Sequence, residues 1–335
     1  MNILLTGGAG YIGAHTAVVL VNAGHKLIIF DNLSNSSKTV IALLIAITKS
    51  DIILIEGDIR NSSLLESTLF NFNIDAVIHF AGLKSVGESV VNPIAYYDNN
   101  VGGTISLLRA MSLANVKILI FSSSATVYGV PQHLPIDEGH PISSTNPYGR
   151  SKCQIEDILK DVSSSDSSWK ILCLRYFNPV GAHSSGLIGE DPKGVPNNLM
   201  PYIAQVASGR LKALSVYGGD YPTYDGTGIR DFIHVMDLAE GHLAALNYVL
   251  DKPGWDAINL GTGQGYSVIE VLTKFSAISN KDIPYQIVGR RPGDVAACFA
   301  KVDKAASLLG WASKRALNDM CESAWSWQLS KDGDG

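Results

Sequence analysis

The segment T6-G-G-A-G-Y-I-G13 constrains this chain most, because its glycines separate a short apolar run from a helical stretch. It reads as G-x-G-x-x-G from Gly8 or as G-x-x-G-x-x-G from Gly7. Such a turn lets the backbone approach a pyrophosphate, which the following helix N-terminus then stabilises. Gly7, Gly10, Tyr11, Ile12 and Gly13 are therefore candidate dinucleotide contacts. Asp31 ends the next apolar run, where a carboxylate accepts hydrogen bonds from adenosine ribose hydroxyls and repels a 2′-phosphate. No arginine follows to receive such a phosphate, so NAD is expected over NADP. The turn after Asp31 adds Asn32, Asn35 and Ser36 as cofactor-side candidates.

Further apolar runs recur at 27–30, 52–56, 76–80, 118–122 and 171–175, after a first at 3–6. They are rich in Ile, Leu and Val and do not alternate with polar residues, as strands covered on both faces should be. Helical stretches at 12–23, 62–72, 94–114 and 148–160 fall between them, which implies βαβ units. The expected class is α/β, a Rossmann-type doubly wound parallel sheet with a smaller mixed α/β lobe. Residues 1–178 would form the dinucleotide-binding domain and 179–335 the second lobe, with parts of 231–262 returning to the first. Helices are expected in the later region at 199–208 and 236–250. The apolar run 40–47 is unusual for a helix near the surface.

Composition narrows the class of function. The 335 residues are 46% hydrophobic and 17% charged, which suits a globular protein. A net charge of −5 without a basic block argues against nucleic acid as a partner. No run is long enough to span a bilayer, and no signal-peptide pattern precedes the first strand. The four cysteines have no metal-site spacing and suit a reduced, cytoplasmic setting, with no metal expected.

The reacting groups are expected at Tyr148 and Lys152, in N146-P-Y-G-R-S-K152. A spacing of i to i+4 puts both on one helix face, just after a proline suited to a first turn. A phenol is a poor base at neutral pH, with an unperturbed pKa of about 10. A cation about 5 Å away, at an effective dielectric of about 20, favours the phenolate by roughly 3 kcal/mol. Lys152 would be the first such cation and an oxidised nicotinamide ring the second. Ser122 and Ser124 end the strand of F121-S-S-S124, and Ser124 can bond the oxygen that Tyr148 deprotonates. Asp58 follows the third strand and either contacts the adenine amine or caps the next helix. Ile59 lies beside it. Phe80, Ala81 and Gly82 leave room at the end of the fourth strand, and Lys84 is placed to meet a phosphate or ribose. Asn99 either caps a turn or holds the lysine or a bridging water.

These residues together resemble the extended short-chain dehydrogenase/reductase family, and within it the UDP-glucose 4-epimerase branch. The likeness also rests on D58-I-R60, H79-F-A-G-L-K-S-V-G-E-S89, Y96-Y-D-N-N100 and F121-S-S-S-A-T-V-Y-G129. It continues through R175-Y-F-N-P-V-G-A182, G194-V-P-N-N-L-M-P-Y-I-A-Q205, D220-Y-P-T223, D225-G-T-G-I-R-D231 and R290-R-P-G-D294, and so spans nearly the whole chain. It implies inversion at C4 of a UDP-hexose, with NAD as cofactor and Tyr148 taking the 4-hydroxyl proton. It also implies that Phe177 lies near the nicotinamide, and that Asn178, Asn198 and Leu199 border the sugar and diphosphate. Ser215, Val216 and Tyr217 would run beside uracil, Arg230 and Arg291 would bind the diphosphate, and Asp294 the uridine ribose. Cys298 stands where a bulky tyrosine narrows the family's sugar pocket. It either admits 2-acetamido sugars or is simply a packed cysteine. A homodimer through 94–114 and 148–160 is a family expectation. The related 4,6-dehydratases need an Asp-Glu pair where this chain has Ala125 and Thr126, and a non-catalytic sensor would not need Ser124, Tyr148 and Lys152.

Overall fold

The computed structural model describes residues 1–192, 194–291 and 293–333. The first part alternates strictly: β1 (Asn2–Thr6), α1 (Tyr11–Asn22), β2 (Lys26–Asp31), α2 (Thr39–Thr48), β3 (Ile53–Glu56), α3 (Ser62–Asn71) and β4 (Ala76–His79). Short helices α4 (Val86–Val91) and α5 (Pro93–Tyr96) follow, then a π-helical turn at Tyr97–Gly102 and α6 (Gly103–Leu113). β5 (Ile118–Ser124), α7 (Pro147–Ser165) and β6 (Lys170–Tyr176) come next. Beyond them lie β7 (Asn178–Val180), α8 (Leu199–Ala207), β8 (Leu214–Tyr217), β9 (Ile229–His234), α9 (Val235–Val249) and β10 (Gly254–Leu260). β11 (Gly265–Ser267), α10 (Val268–Ser279), β12 (Tyr285–Val288), β13 (Ala297–Cys298), α11 (Asp303–Leu309) and α12 (Leu317–Gly333) complete the chain.

Seven strands form one sheet in the order β10-β6-β5-β4-β1-β2-β3, and every pairing is parallel. The expected doubly wound α/β class is thus formed, with the order reversing between β1 and β4, where such sheets bind ligands. One apolar layer packs α1, α2 and α9 on one face, and a second packs α3, α6 and α7 on the other. A separate cluster joins α8, β8, β9, α10 and α12 in the smaller lobe. α9 and β10 come late in the chain yet complete the large sheet's lobe: α9 covers it, and β10 pairs with β6.

Three elements differ from expectation for identifiable reasons. The helix expected over 94–114 is broken by the π-turn Tyr97–Gly102, a device that widens one helical turn. α7 runs on through Ser163–Ser165, because Ser164 and Ser165 return their hydroxyls to the carbonyls of Lys160 and Val162. The apolar run 40–47 forms most of α2, which lies on α1. Ile41 and Leu44 are buried there, and Val40, Leu43 and Ile47 are partly covered. Leu44→Ala should therefore cost about 2–5 kcal/mol in urea unfolding, against under about 1 kcal/mol for the partly exposed Ile45→Ala.

Candidate active site

The glycine loop leaves β1 and meets the end of β4. Gly7 has φ +69°, and a Cβ there would lie 2.6 Å from the Ala81 nitrogen. A Cβ on Gly13 would lie 2.6 Å from the Gly7 carbonyl oxygen, so both positions exclude side chains. Gly10 begins α1 with no side-chain cap and no acidic residue in the first turn, which leaves the N-terminal amides for an anion. The Tyr11 hydroxyl donates to the Gly181 carbonyl at 2.6 Å and so ties this loop to the second lobe. Ile12 is half-buried on the same turn.

Asp31 sits at the end of β2 and organises the neighbouring turns. Oδ2 accepts from Ala9 N at 3.1 Å, and Oδ1 accepts from Leu33 N at 2.8 Å and Ser36 Oγ at 3.1 Å. That network holds Leu33 at φ 58°, a conformation unfavourable to a side chain. Oδ2, with one donor in Ala9 N, has lone-pair capacity for a further hydroxyl. Asn32 and Asn35 are exposed on the same turn. These features fit a dinucleotide with an unphosphorylated ribose.

One of the two alternatives for Asp58 falls here, the helix cap. Asn61 caps α3, accepting from Leu64 N at 3.1 Å, so Asp58 is not the cap. Its carboxylate instead holds Arg60, with Nε at 2.8 Å and Nη2 at 2.8 Å, and these bonds lower it to about 2. An arginine therefore does lie near the turn after Asp31, because Asp58 also meets Asn32 at 3.5 Å, contrary to expectation. Its guanidinium is also engaged by Asp98 at 2.5 Å, and two carboxylates leave it little attraction for a 2′-phosphate.

The proposed reacting residues converge at the carboxyl edge of β5. Asn146 caps α7 by accepting from Gly149 N at 2.9 Å, with Pro147 in the first turn, so Tyr148 projects at the helix start. Ser124 Oγ accepts from Thr126 N at 3.2 Å, and its side chain favours the ionised form of the Tyr148 phenol. Thr126 also donates its own hydroxyl to Ser124 at 3.0 Å. Lys152 is 4% exposed, and its Nζ donates to the Ser122 carbonyl at 2.7 Å, 4.7 Å from the Phe121 ring centroid and 5.9 Å from that of Tyr148.

The electrostatics correct one expectation. Burial pushes Tyr148 above the ordinary tyrosine value, against the lowering effect of its Ser124 bond. Burial also pushes Lys152 down to about 8, opposed by Glu156 one turn on. Lys152 alone therefore does not turn Tyr148 into a phenolate: desolvation outweighs one cation whose hydrogen bond goes to a carbonyl.

The floor of the site comes from the turn after β4. Phe80 N and Ala81 N both donate to the Thr6 carbonyl, at 2.8 and 2.9 Å. Gly82 is exposed, and Ile59 packs where Gly103 has no side chain. Asn99 lies in the π-turn and donates to Asn100 at 3.0 Å. Asn100, which the sequence did not single out, is buried and bridges Leu83 N at 2.8 Å, Leu83 O at 3.0 Å and Ser151 Oγ at 3.1 Å. Lys84 Nζ lies 3.2 Å from Glu190 Oε1, and Asn198 Nδ2 donates to the same oxygen at 2.6 Å. Glu190 gave no signal in the sequence, since a glutamate in a Gly- and Pro-rich loop reads as solvated.

The second lobe and the segment leading into it gather the remaining candidates. β8 carries Ser215, Val216 and Tyr217 and pairs in parallel with β12. The Arg291 guanidinium stacks 4.1 Å from the Tyr217 ring centroid, and Arg230 approaches Asp294 at 3.8 Å. Pro292 lies outside the described residues. Asn178 is exposed at the start of β7, Leu199 opens α8, and Phe177 is buried. Cys298 is the register partner of Arg230 and borders the cluster that contains Phe177, Val127 and Ala300. Burial pushes its thiol up to about 11, so it stays protonated at neutral pH. Among the described residues no group of three or more His, Cys, Asp or Glu is placed to hold a metal. None of their helices is long and apolar enough to cross a membrane.

Lys152 offers a stability test. Its pKa falls from 10.5 to about 8, so a charged-amine cost is fully present below about pH 8 and vanishes as pH rises towards 10.5. Lys152→Met should melt above the parent at pH 7, and calorimetric melts should show the gap narrowing from about pH 8 upwards.

Comparison with known proteins bears on what this geometry serves. The family model described as the NAD dependent epimerase/dehydratase family matches residues 3–261. The UDP-glucose 4-epimerase of Bacillus subtilis (strain 168) is 55% identical over 98% of this chain and 97% of its own length. The crystal structure of UDP-glucose 4-epimerase from Bifidobacterium longum, in complex with NAD+ and UDP, superposes with a TM-score of 0.97 at 52% identity, covering all of both chains. That of the Stenotrophomonas maltophila enzyme, with bound NAD and formylated UDP-arabinopyranose, gives a TM-score of 0.98 at 47% identity over all of both chains. The chain belongs to the NAD dependent epimerase/dehydratase family, in its UDP-glucose 4-epimerase branch.

Proposed function

We propose that this protein interconverts UDP-glucose and UDP-galactose by NAD-dependent inversion at C4, through a transient 4-keto sugar. The convergence of Ser124, Tyr148 and Lys152 beside the glycine loop carries the reading. Bound oxidised NAD supplies a hydride acceptor that later returns the hydride, and a positive ring beside the phenol. Tyr148 takes the 4-hydroxyl proton and gives it back after the sugar presents its other face. Ser124 holds the reacting oxygen, and Lys152 keeps positive charge near the phenol while its bond to Ser122 fixes its place.

Gly7, Gly10, Tyr11, Ile12 and Gly13 cradle the cofactor pyrophosphate, with Asp31, Asn32, Asn35 and Ser36 around the adenosine ribose and Asp58 and Ile59 near the adenine. Phe80, Ala81, Gly82, Lys84, Asn99, Ser122 and Phe177 line the rest of its path. Asn178, Asn198 and Leu199 border the sugar and diphosphate of the UDP-sugar. Arg230 and Arg291 take its phosphates, Ser215 to Tyr217 its uracil and Asp294 its ribose. Guanidinium forks suit phosphate oxygens, which supports that assignment. The protein acts in the cytoplasm as a homodimer paired through α6 and α7. The strongly exposed Val91 and Ile94, on the segment leading into α6, support the pairing. A thiol at Cys298 in place of a tyrosine ring leaves space for a 2-acetamido group, so UDP-GlcNAc and UDP-GalNAc are also substrates.

Two measurements test the proposal. Tyr148→Phe should lower UDP-galactose turnover, assayed without added NADH, by about 10²–10⁴-fold, and full activity would refute the base. Cys298→Tyr should lower turnover of the acetamido pair by at least about tenfold while UDP-glucose and UDP-galactose change little. Equal activity on both pairs would refute the gate.

A further inference from the structure

Glu190 stands where the two lobes meet at this site, on the loop between β7 and α8. Its side chain is only 10% exposed, yet Oε1 receives Lys84 from the turn after β4 and Asn198 from the start of α8. Its other oxygen is buried and has no partner among the described residues. The carboxylate thus depends on these two donors for its stabilisation.

The donors are left with capacity to spare. An ammonium has three N–H groups and a carboxamide two, so each keeps at least one donor beyond Glu190. Asn198 stands at the N-cap of α8 but makes no side-chain capping bond, so the helix start does not fix its carboxamide. Residues 189–191 are also braced from behind. Gly189 lies flat against Trp327, where a Cβ would come within 2.5 Å of the indole. Trp327 Nε1 donates to the Glu190 carbonyl at 3.2 Å, and Lys331 of the same helix pairs with Asp191.

We infer that Glu190 is a positioning residue that aims Lys84 at the cofactor and Asn198 at the UDP-sugar, so one carboxylate supports both grips. Lys84 offsets the carboxylate's charge, which would otherwise repel nearby phosphates. This rests on the proposed function, in which Lys84 and Asn198 face those ligands.

The test uses the purified full chain, with NAD binding read by fluorescence and UDP binding by calorimetry. Lys84→Met should weaken NAD and Asn198→Ala should weaken UDP. Glu190→Gln should weaken both by about tenfold with an unchanged melting temperature. A Lys84→Met/Glu190→Gln protein should bind NAD within about twofold of Lys84→Met alone, the non-additivity expected of a shared contact. Unchanged binding of both nucleotides by Glu190→Gln, or fully additive losses in the double variant, would overturn the inference and leave the proposed function intact. If Glu190→Gln does not fold, Lys84→Met read on UDP and Asn198→Ala read on NAD decide. Each should lose about threefold on the other's nucleotide, and independence would overturn the link. A parent protein that binds neither nucleotide would overturn the proposed function and this inference together.

Discussion

A positive charge taken out of water is the constraint around which the active-site half of this molecule is arranged. The ammonium of Lys152 is buried and carried by one backbone carbonyl and an aromatic ring face. Such a charge is costly unless its surroundings compensate it. One turn further along α7, Glu156 binds Arg175 of β6 through Nε at 3.0 Å and Nη2 at 2.6 Å, and Ser123 of β5 donates to it as well. Arg175 reaches the Tyr128 hydroxyl at 3.0 Å, and that hydroxyl donates to Asn259 of β10 at 2.6 Å. The helix bearing Tyr148 and Lys152 is thereby tied to three strands. It cannot slide without uncovering paired charges in a buried setting, which breaks far more than one hydrogen bond.

The same logic distinguishes the two ends of the site. At the glycine-loop end the groups are backbone and short side chains locked by packing: Gly7 against Ala81, Gly13 against Gly7, Asp31 across two turns. In the second lobe the candidate groups are long side chains on loops and short strands, such as Arg291 stacked on Tyr217 and Arg230 near Asp294. A rigid seat beside an adjustable one suits a reaction in which a cofactor stays and a sugar has to turn over.

Much of this arrangement was legible in the chain. Unbroken runs of Ile, Leu and Val identified the central strands, and the glycine spacing located the turn that has no room for side chains. The Pro147-Tyr148-Lys152 spacing located the helix start. What stayed hidden depends on groups distant in sequence. Asn100 rather than Asn99 bridges Leu83 and Ser151, because a π-turn rotates the face that the regular period would present. Arg60 is linked to the turn after Asp31 through Asp58. The raised phenol follows from burial, which no local spacing reports. The apolar 40–47 segment is covered by α1 and its neighbours, a partnership between helices that local pattern does not report.

The position of β10 carries a consequence for how the chain is assembled. Its seven residues pair with β6 along its whole length, from Gly254 opposite Lys170 to Leu260 opposite Tyr176. Until that late segment leaves the ribosome, β6 presents a bare row of amides and carbonyls, and α1 lacks the cover of α9. The nascent front half is thus an open template for stray strands, and its shielding comes only with the far end of the sheet.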